Sequence, residues 1–259
     1  MTTTSQPTKA QGMTTTNLAD VRRIERPEAT TLAADEVARM AATLRRLDAD
    51  DWTRPTDCPL WDVRAMAGHV LGMTETFTGL TRFASTMRAG GKRAGDGPFI
   101  DGLTAVQVDS TAGLTTGELI DRLEAAGPAA ARWRGSRRLM RHIPLKDEID
   151  GEKVTWKLAT LVDVILTRDT WMHRADIAKA TGKPMDLSPE HDGRIVADAA
   201  AEWGSLHGQP CTLRLTGPAG GAFTQGEGGE EITIDAVDFC RIVSGRGSGE
   251  GLLAQAVPF

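Results

Sequence analysis

LATLVDVILTRDTWMHRADIAKATG, residues Leu158 to Gly182, is the stretch whose reading decides the rest. At about 100° per residue, Leu158, Val162, Ile165, Asp169, His173 and Asp176 fall within one narrow stripe, so the spacing predicts one long helix with that stripe facing a core. Two carboxylates and an imidazole on an apolar stripe lose their hydration, which costs several kcal/mol per charge unless each is paired or bound to a metal. Asp169 and His173 stand at i and i+4, emerge about one turn apart on the same side, and can grip a single ion. A third ligand has to come from elsewhere in the chain. Gly182 and Pro184 supply the stop.

Upstream, Val37, Met40, Ala41, Leu44 and Leu47 keep the i, i+3, i+4, i+7 rhythm of an amphipathic helix, expected over Thr31 to Asp48. Pro55 and Pro59 hold an irregular connection, after which Asp62 is placed to cap a second helix whose core stripe is Val63, Ala67, Val70, Thr74 and Phe77. His69 projects about a quarter turn off that stripe and flanks the core. A lone histidine there is ordinarily a satisfied core or surface residue. Together with Asp169 and His173, however, it makes the three-ligand, open-position set of a catalytic metal site. A Gly-rich basic link, Gly90 to Gly97, leads to a third helix from Asp101 to Val108. Thr115 and Glu118 form a capping box opening Leu119 to Ala126, Pro128 interrupts, and the basic run Arg132 to Arg141 reads as a solvated face or loop margin.

Beyond Pro184 the texture changes. Asp192 to Trp203 suggests a helix, CTLRLT and EEITI alternate like half-buried strands around the turn GPAGG, and Asp235 caps AVDFCRIVSG. The first residues are Thr, Gln and Ser with almost nothing to bury. The expected plan is a disordered tail over 1–18, a helical domain over 19–185 and a small α+β domain over 186–259.

The formal net charge of −5 argues against a polyphosphate partner, and no apolar run approaches the roughly 18 residues a bilayer demands. Cys58, Cys211 and Cys240 are an odd set without a CxxC pair, which speaks for a reducing cytoplasm and against a disulfide framework or a zinc knuckle. Cys58 has no histidine or cation at readable spacing to activate it and is read as loop packing. GRGSGEG lacks the Lys-Ser/Thr of a phosphate loop and is read as a tight loop.

Three segments in order, DWTRPTDCPLWDVRAMAGHVLG, DGLTAVQVDS and DTWMHRADIAKATGKP, resemble the DinB-type four-helix metalloenzymes of the mycothiol-dependent maleylpyruvate isomerase family. TLRLTGPAGG with DAVDFCRIVSGR and GLL is similar to the small C-terminal α+β domain, related to sterol-carrier-protein (SCP2) folds, that accompanies them. The resemblance covers nearly the whole chain from about Asn17. It implies a mainly α fold with a smaller α+β part, a divalent metal, usually zinc, on His69, Asp169 and His173, and an actinobacterial source. It further implies mycothiol or a related thiol as cosubstrate, a small-molecule substrate, and Arg246, from a matching Gly-Arg pair, as a catalytic-site residue holding an anionic substrate. One departure is Asp169, where related sequences usually carry Glu or His; Asp is a methylene shorter than Glu. Asp176 reads as a group that orients a ligand rather than as a ligand.

The function so implied is a cytoplasmic, metal-dependent isomerase or S-transferase acting through a low-molecular-weight thiol. Two alternatives stand beside it: a metal hydrolase or biosynthetic cyclase on the same scaffold that uses no thiol, and a non-catalytic metal or small-molecule binding protein. Oligomeric state cannot be read from the sequence.

Overall fold

Thr15–Asn17 form a short strand, β1, and Leu18–Asp20 a 3-10 turn in which the Asn17 side chain accepts from the Ala19 amide. The computed structural model describes residues 14–137, 140–149 and 152–259, so most of the expected disordered tail lies outside the described residues. Its last part differs from expectation: Thr15–Asn17 are a strand and Leu18 is only 2% exposed.

Helix α1 (Arg26–Arg45) begins at Arg26 rather than Thr31, because Pro27 brings the fixed φ and missing amide that suit a first turn. Helix α2 (Val63–Thr76) opens on Asp62, whose carboxylate accepts from the Ala65 amide at 2.7 Å. Nearly its whole circumference is buried, so His69 lies in the interior rather than on the flank. Helix α3 (Leu80–Ala94) takes in most of the expected Gly-rich link and packs on α4 (Phe99–Asp109). The glycines there serve close approach rather than flexibility: a Cβ on Gly90 would meet Leu103 Cα at 3.0 Å, and one on Gly102 would strike the Gly90 carbonyl.

The capping box of Thr115 and Glu118 opens α5 (Thr116–Ser136), which runs straight through Pro128. An interior proline costs roughly 3 kcal/mol. Leu119, Ile120 and Leu123 before it and Ala130, Ala131 and Trp133 after it are all buried, so packing on both sides carries the helix past the missing hydrogen bond.

Strands β2 (Pro144–Ile149) and β3 (Glu152–Lys157) form an antiparallel hairpin that the periodicity did not suggest, with Pro144 opposite Lys157. The expected long helix follows as one helical run in three parts: α6 (Leu158–Thr160), a wide π turn (Leu161–Ile165) and α7 (Leu166–Thr181), ended by Gly182 at φ +69°. The π turn has a visible cause. Buried Arg134 of α5 donates from Nε to the Val162 carbonyl at 2.6 Å and from Nη2 to Thr167 Oγ1 at 3.0 Å, a side chain inserted beside the ladder. Part of the basic run is thus internal wiring, with Arg134 buried and Arg141 paired with Asp163, while Arg132 and Arg137 are exposed and Arg137 lies 4.9 Å over the Trp133 ring.

Helices α1, α2, α5 and α7 pack together around Val37, Met40, Leu44, Met66, Val70, Leu119, Leu123 and Ile177. This is the helical bundle. In the other compact unit, α8 (Asp192–His207) and α9 (Ala236–Arg241) accompany strands β4 (Cys211–Thr216), β5 (Gly221–Gln225) and β6 (Glu230–Asp235). The sheet order is β1-β5-β4-β6, with β1 parallel to β5, β5 antiparallel to β4 and β6 parallel to β4. Two strands of the four were expected. Asp235 caps α9 as anticipated, accepting from the Val237 amide at 2.8 Å.

The fold is thus mainly helical with a small mixed sheet. One unit is Arg23–Asp186 with Pro258–Phe259; the other joins the described residues through Arg22 to Leu187–Val257. The expected boundaries miss both exchanges, since they give residues 19–22 to the helical domain and the last two residues to the small one. No helix among the described residues is long and apolar enough to cross a membrane.

Candidate metal centre

His69 is carried on the buried helix α2, and Asp169 and His173 one turn apart on α7, so two packed helices supply all three side chains. The fold brings them together. His69 Nε2 lies 3.6 Å from Asp169 Oδ2, His173 Nε2 lies 3.3 Å from Asp169 Oδ1, and one donor atom from each lies within 4.8 Å of the others. The two imidazole side chains are 7% and 4% exposed and the carboxylate 23%, so solvent reaches the cluster along Asp169. The shorter reach of Asp does not hold it away from either ring.

Burial by itself would raise the Asp169 pKa. The nearby imidazole of His173, followed by that of His69, reverses that and holds the carboxyl well below the usual carboxylate range. Arg134 contributes a further cation: burial lowers its pKa to about 10, and Asp169 works in the opposite direction.

Two imidazoles and one carboxylate are a zinc-type donor set that leaves a fourth position open. Asp169 Oδ2 is buried without a hydrogen-bond partner among the described residues. An unsatisfied carboxylate oxygen is expensive, and a cation at the convergence would satisfy it. The residues present fit a divalent ion.

The two rings are oriented by different means. His173 Nδ1 lies 3.3 Å from Oδ2 of Asp176, which is 1% exposed; with an ion on Nε2, the Nδ1 proton would have this carboxylate as its acceptor. His69 has no such acceptor: its Nδ1 is buried without a hydrogen-bond partner among the described residues. Instead the Trp61 ring stacks on it at 4.7 Å and 28°, and meets His173 edgewise at 5.9 Å. Trp61 is set by a tight turn in which its amide donates to the Cys58 carbonyl and its carbonyl accepts from the Thr56 amide and hydroxyl.

That turn holds what the sequence reading missed. Local spacing gives Trp61 no role and reads Cys58 as loop packing without a histidine neighbour. Cys58 does pack on the bundle core, but its sulfur also lies within 4.8 Å of a His173 ring nitrogen and an Asp176 oxygen. The available signal was position: both residues fall between Pro55 and Asp62, which bridge directly ahead of the helix bearing His69. Arg246 belongs to the other compact unit, at the end of a π turn (Ile242–Arg246) that contains Gly245 at φ +82°. It is half-buried, with Nη1 3.4 Å from Ser244 Oγ. Cys211 and Cys240 are buried in that same unit.

Two uncharacterised proteins of Mycobacterium tuberculosis, from two strains, are each 29% identical to this chain over 231 residues, spanning 83% of it and 84% of their own length. The crystal structure of the mycothiol-dependent maleylpyruvate isomerase superposes with a TM-score of 0.52 at 17% identity, covering 90% of this chain and 93% of that one; a mutant of that enzyme gives 0.51. At such identity the likeness is one of fold. The family description for the mycothiol maleylpyruvate isomerase N-terminal domain matches residues 33–178, more than half of the chain and the whole span bearing His69, Asp169 and His173, and the chain belongs to that family.

Proposed function

We propose that this chain is a metal-dependent enzyme that uses a low-molecular-weight thiol, mycothiol or a relative, to isomerise a small electrophilic substrate or to transfer the thiol onto it. The observation that carries this reading is the convergence of His69, Asp169 and His173 inside the matched span, with Asp169 Oδ2 buried and unsatisfied. A divalent ion, zinc by its donor set, supplies one thing when bound: it draws a thiol's pKa from about 8.5 toward neutrality or below, so that the nucleophilic thiolate persists.

The chain's own residues do the rest. Asp176 holds the Nδ1 proton of His173 and so points the opposite lone pair at the centre. Trp61 covers the His69 ring and keeps water from that face. Arg134 keeps a positive charge coupled to Asp169. Arg246 is proposed to hold the carboxylate of an anionic substrate through its planar fork of donors.

The test is thiol dependence in protein of known metal content. His69→Ala and His173→Ala should each strip the metal, and Arg246→Ala should raise KM for an anionic substrate while leaving it bound. Thiol at a hundredfold excess over Kd should stabilise the loaded protein by about 2.7 kcal/mol and leave His173→Ala unmoved. Because Cys58 is a rival sulfur, Cys58→Ala belongs in the same assay, and thiol-dependent turnover should survive it. Turnover at full rate in thiol-free buffer would favour the hydrolase or cyclase instead.

A further inference from the structure

The imidazole of His173 serves two groups of side chains from its two edges. Nε2 faces Asp169 at 3.3 Å, and Nδ1 faces Asp176 at the same distance. Cys58 joins His173 and Asp176 in a second group: its sulfur, a ring nitrogen of His173 and a carboxylate oxygen of Asp176 all lie within 4.8 Å of one another, and we take that nitrogen to be Nδ1, the one beside Asp176. Asp176 and His173 are nearly inaccessible, whereas Cys58 is half-buried and opens the group to solvent. The sulfur is carried on a fixed backbone, since the Cys58 amide donates to Thr56 Oγ1 at 3.2 Å and its carbonyl accepts from the Trp61 amide at 2.9 Å. A tetrahedral ion with bonds of about 2.0–2.3 Å spaces its ligand atoms about 3.3–3.8 Å apart, so side-chain rotations of about 1 Å would close this group around one.

We propose that Cys58, His173 and Asp176 make a second cation site, suited to a soft, thiolate-seeking divalent ion such as cadmium, which competes with the His69, Asp169 and His173 centre for one imidazole. Binding exchanges the sulfur–hydrogen bond for a sulfur–metal bond and releases the proton to solvent. A neutral imidazole has one N–H and one lone pair. An ion at Nε2 requires the proton on Nδ1, where Asp176 accepts it; an ion at Nδ1 requires the proton on Nε2, where Asp169 accepts it. The two sites therefore exclude each other through the tautomer of a single ring, and a soft ion beside Cys58 turns the other centre off. The site itself stands on its own residues; the exclusion rests on the metal reading of the first centre.

Cadmium ion titrated into the chelator-treated full chain tests both parts, because a thiolate bound to cadmium gives an ultraviolet charge-transfer band that imidazole and carboxylate do not. Wild type should take one cadmium per chain with the band. Cys58→Ser and Cys58→Ala, with unchanged circular dichroism, should lose the band while the ion still binds at His69 and Asp169. His69→Ala should keep the band, which separates this site from the first centre even if the thiol chemistry proposed above fails. A wild-type titration without the band, a band that survives in the Cys58 variants, or one that vanishes in His69→Ala would overturn the second site. Two cadmium ions per wild-type chain would overturn the exclusion.

Discussion

Asp176 and Trp61 share the task of holding two imidazoles, one by a hydrogen bond and one by a stacked face. Groups that orient metal-binding histidines contribute about 10–100-fold to metal affinity. Asp176→Asn should therefore weaken metal binding by about that factor without abolishing it, whereas His173→Ala should leave no site, and competition with a chelator dye distinguishes the two. The pairing of Asp169 with His173 was legible because the i, i+4 rule is local, whereas His69, on a helix buried nearly all round, was marked out through the family resemblance rather than by its own spacing. Trp61 and Cys58 were not, because their roles depend on how the Pro55 to Asp62 turn folds back over α2, and no periodicity encodes that path.

Among the elements, α1 and α7 are joined by an ion pair with no exposure on either side: Arg174 Nε donates to Glu36 Oε1 at 2.8 Å and Nη2 to Oε2 at 3.1 Å. Breaking a buried pair from one end leaves a charge the interior cannot solvate, so Glu36→Ala should destabilise the protein by about 3–5 kcal/mol in a denaturant melt. The opening of α5 carries a pH dependence. Bonds from the Thr115 amide and then its hydroxyl lower the Glu118 pKa, so its contribution is fully present above the ordinary carboxylate pKa and disappears as pH falls through the folded value. Glu118→Gln should shrink the gap between neutral and acid melting temperatures. Most helices were readable from periodicity, α3 excepted, since most of the expected Gly-rich link lies inside it; what else escaped was long-range. The π turn depends on Arg134 reaching from α5, and α5 survives Pro128 through contacts on both sides, neither of which shows in a local window.

At the scale of the molecule, the two compact units are each sewn from separated pieces of chain. Composition and alternation disclosed the helical bulk and the small α+β part. They could not disclose β1, because three residues carry no period, so an element that completes the sheet passed for tail. Leu18 is the anchor of that piece, with its side chain against Gly204 of α8. Leu18→Ala should cost about 2–5 kcal/mol, seen as loss of the small unit's melting transition. The parallel pairing of Thr15–Asn17 with Ala222–Thr224 also sets a timetable for biosynthesis. Roughly 200 residues separate the partners, so at about 5–20 residues per second a ribosome makes β1 wait about 10–40 s for β5. In that interval nearly all of the helical unit leaves the tunnel and can fold, while β1 is held open as an unpaired edge. A chaperone that shields nascent strands would find its target in the first two dozen residues, and a permuted gene that translates β1 after β6 should reach the same sheet with less aggregation.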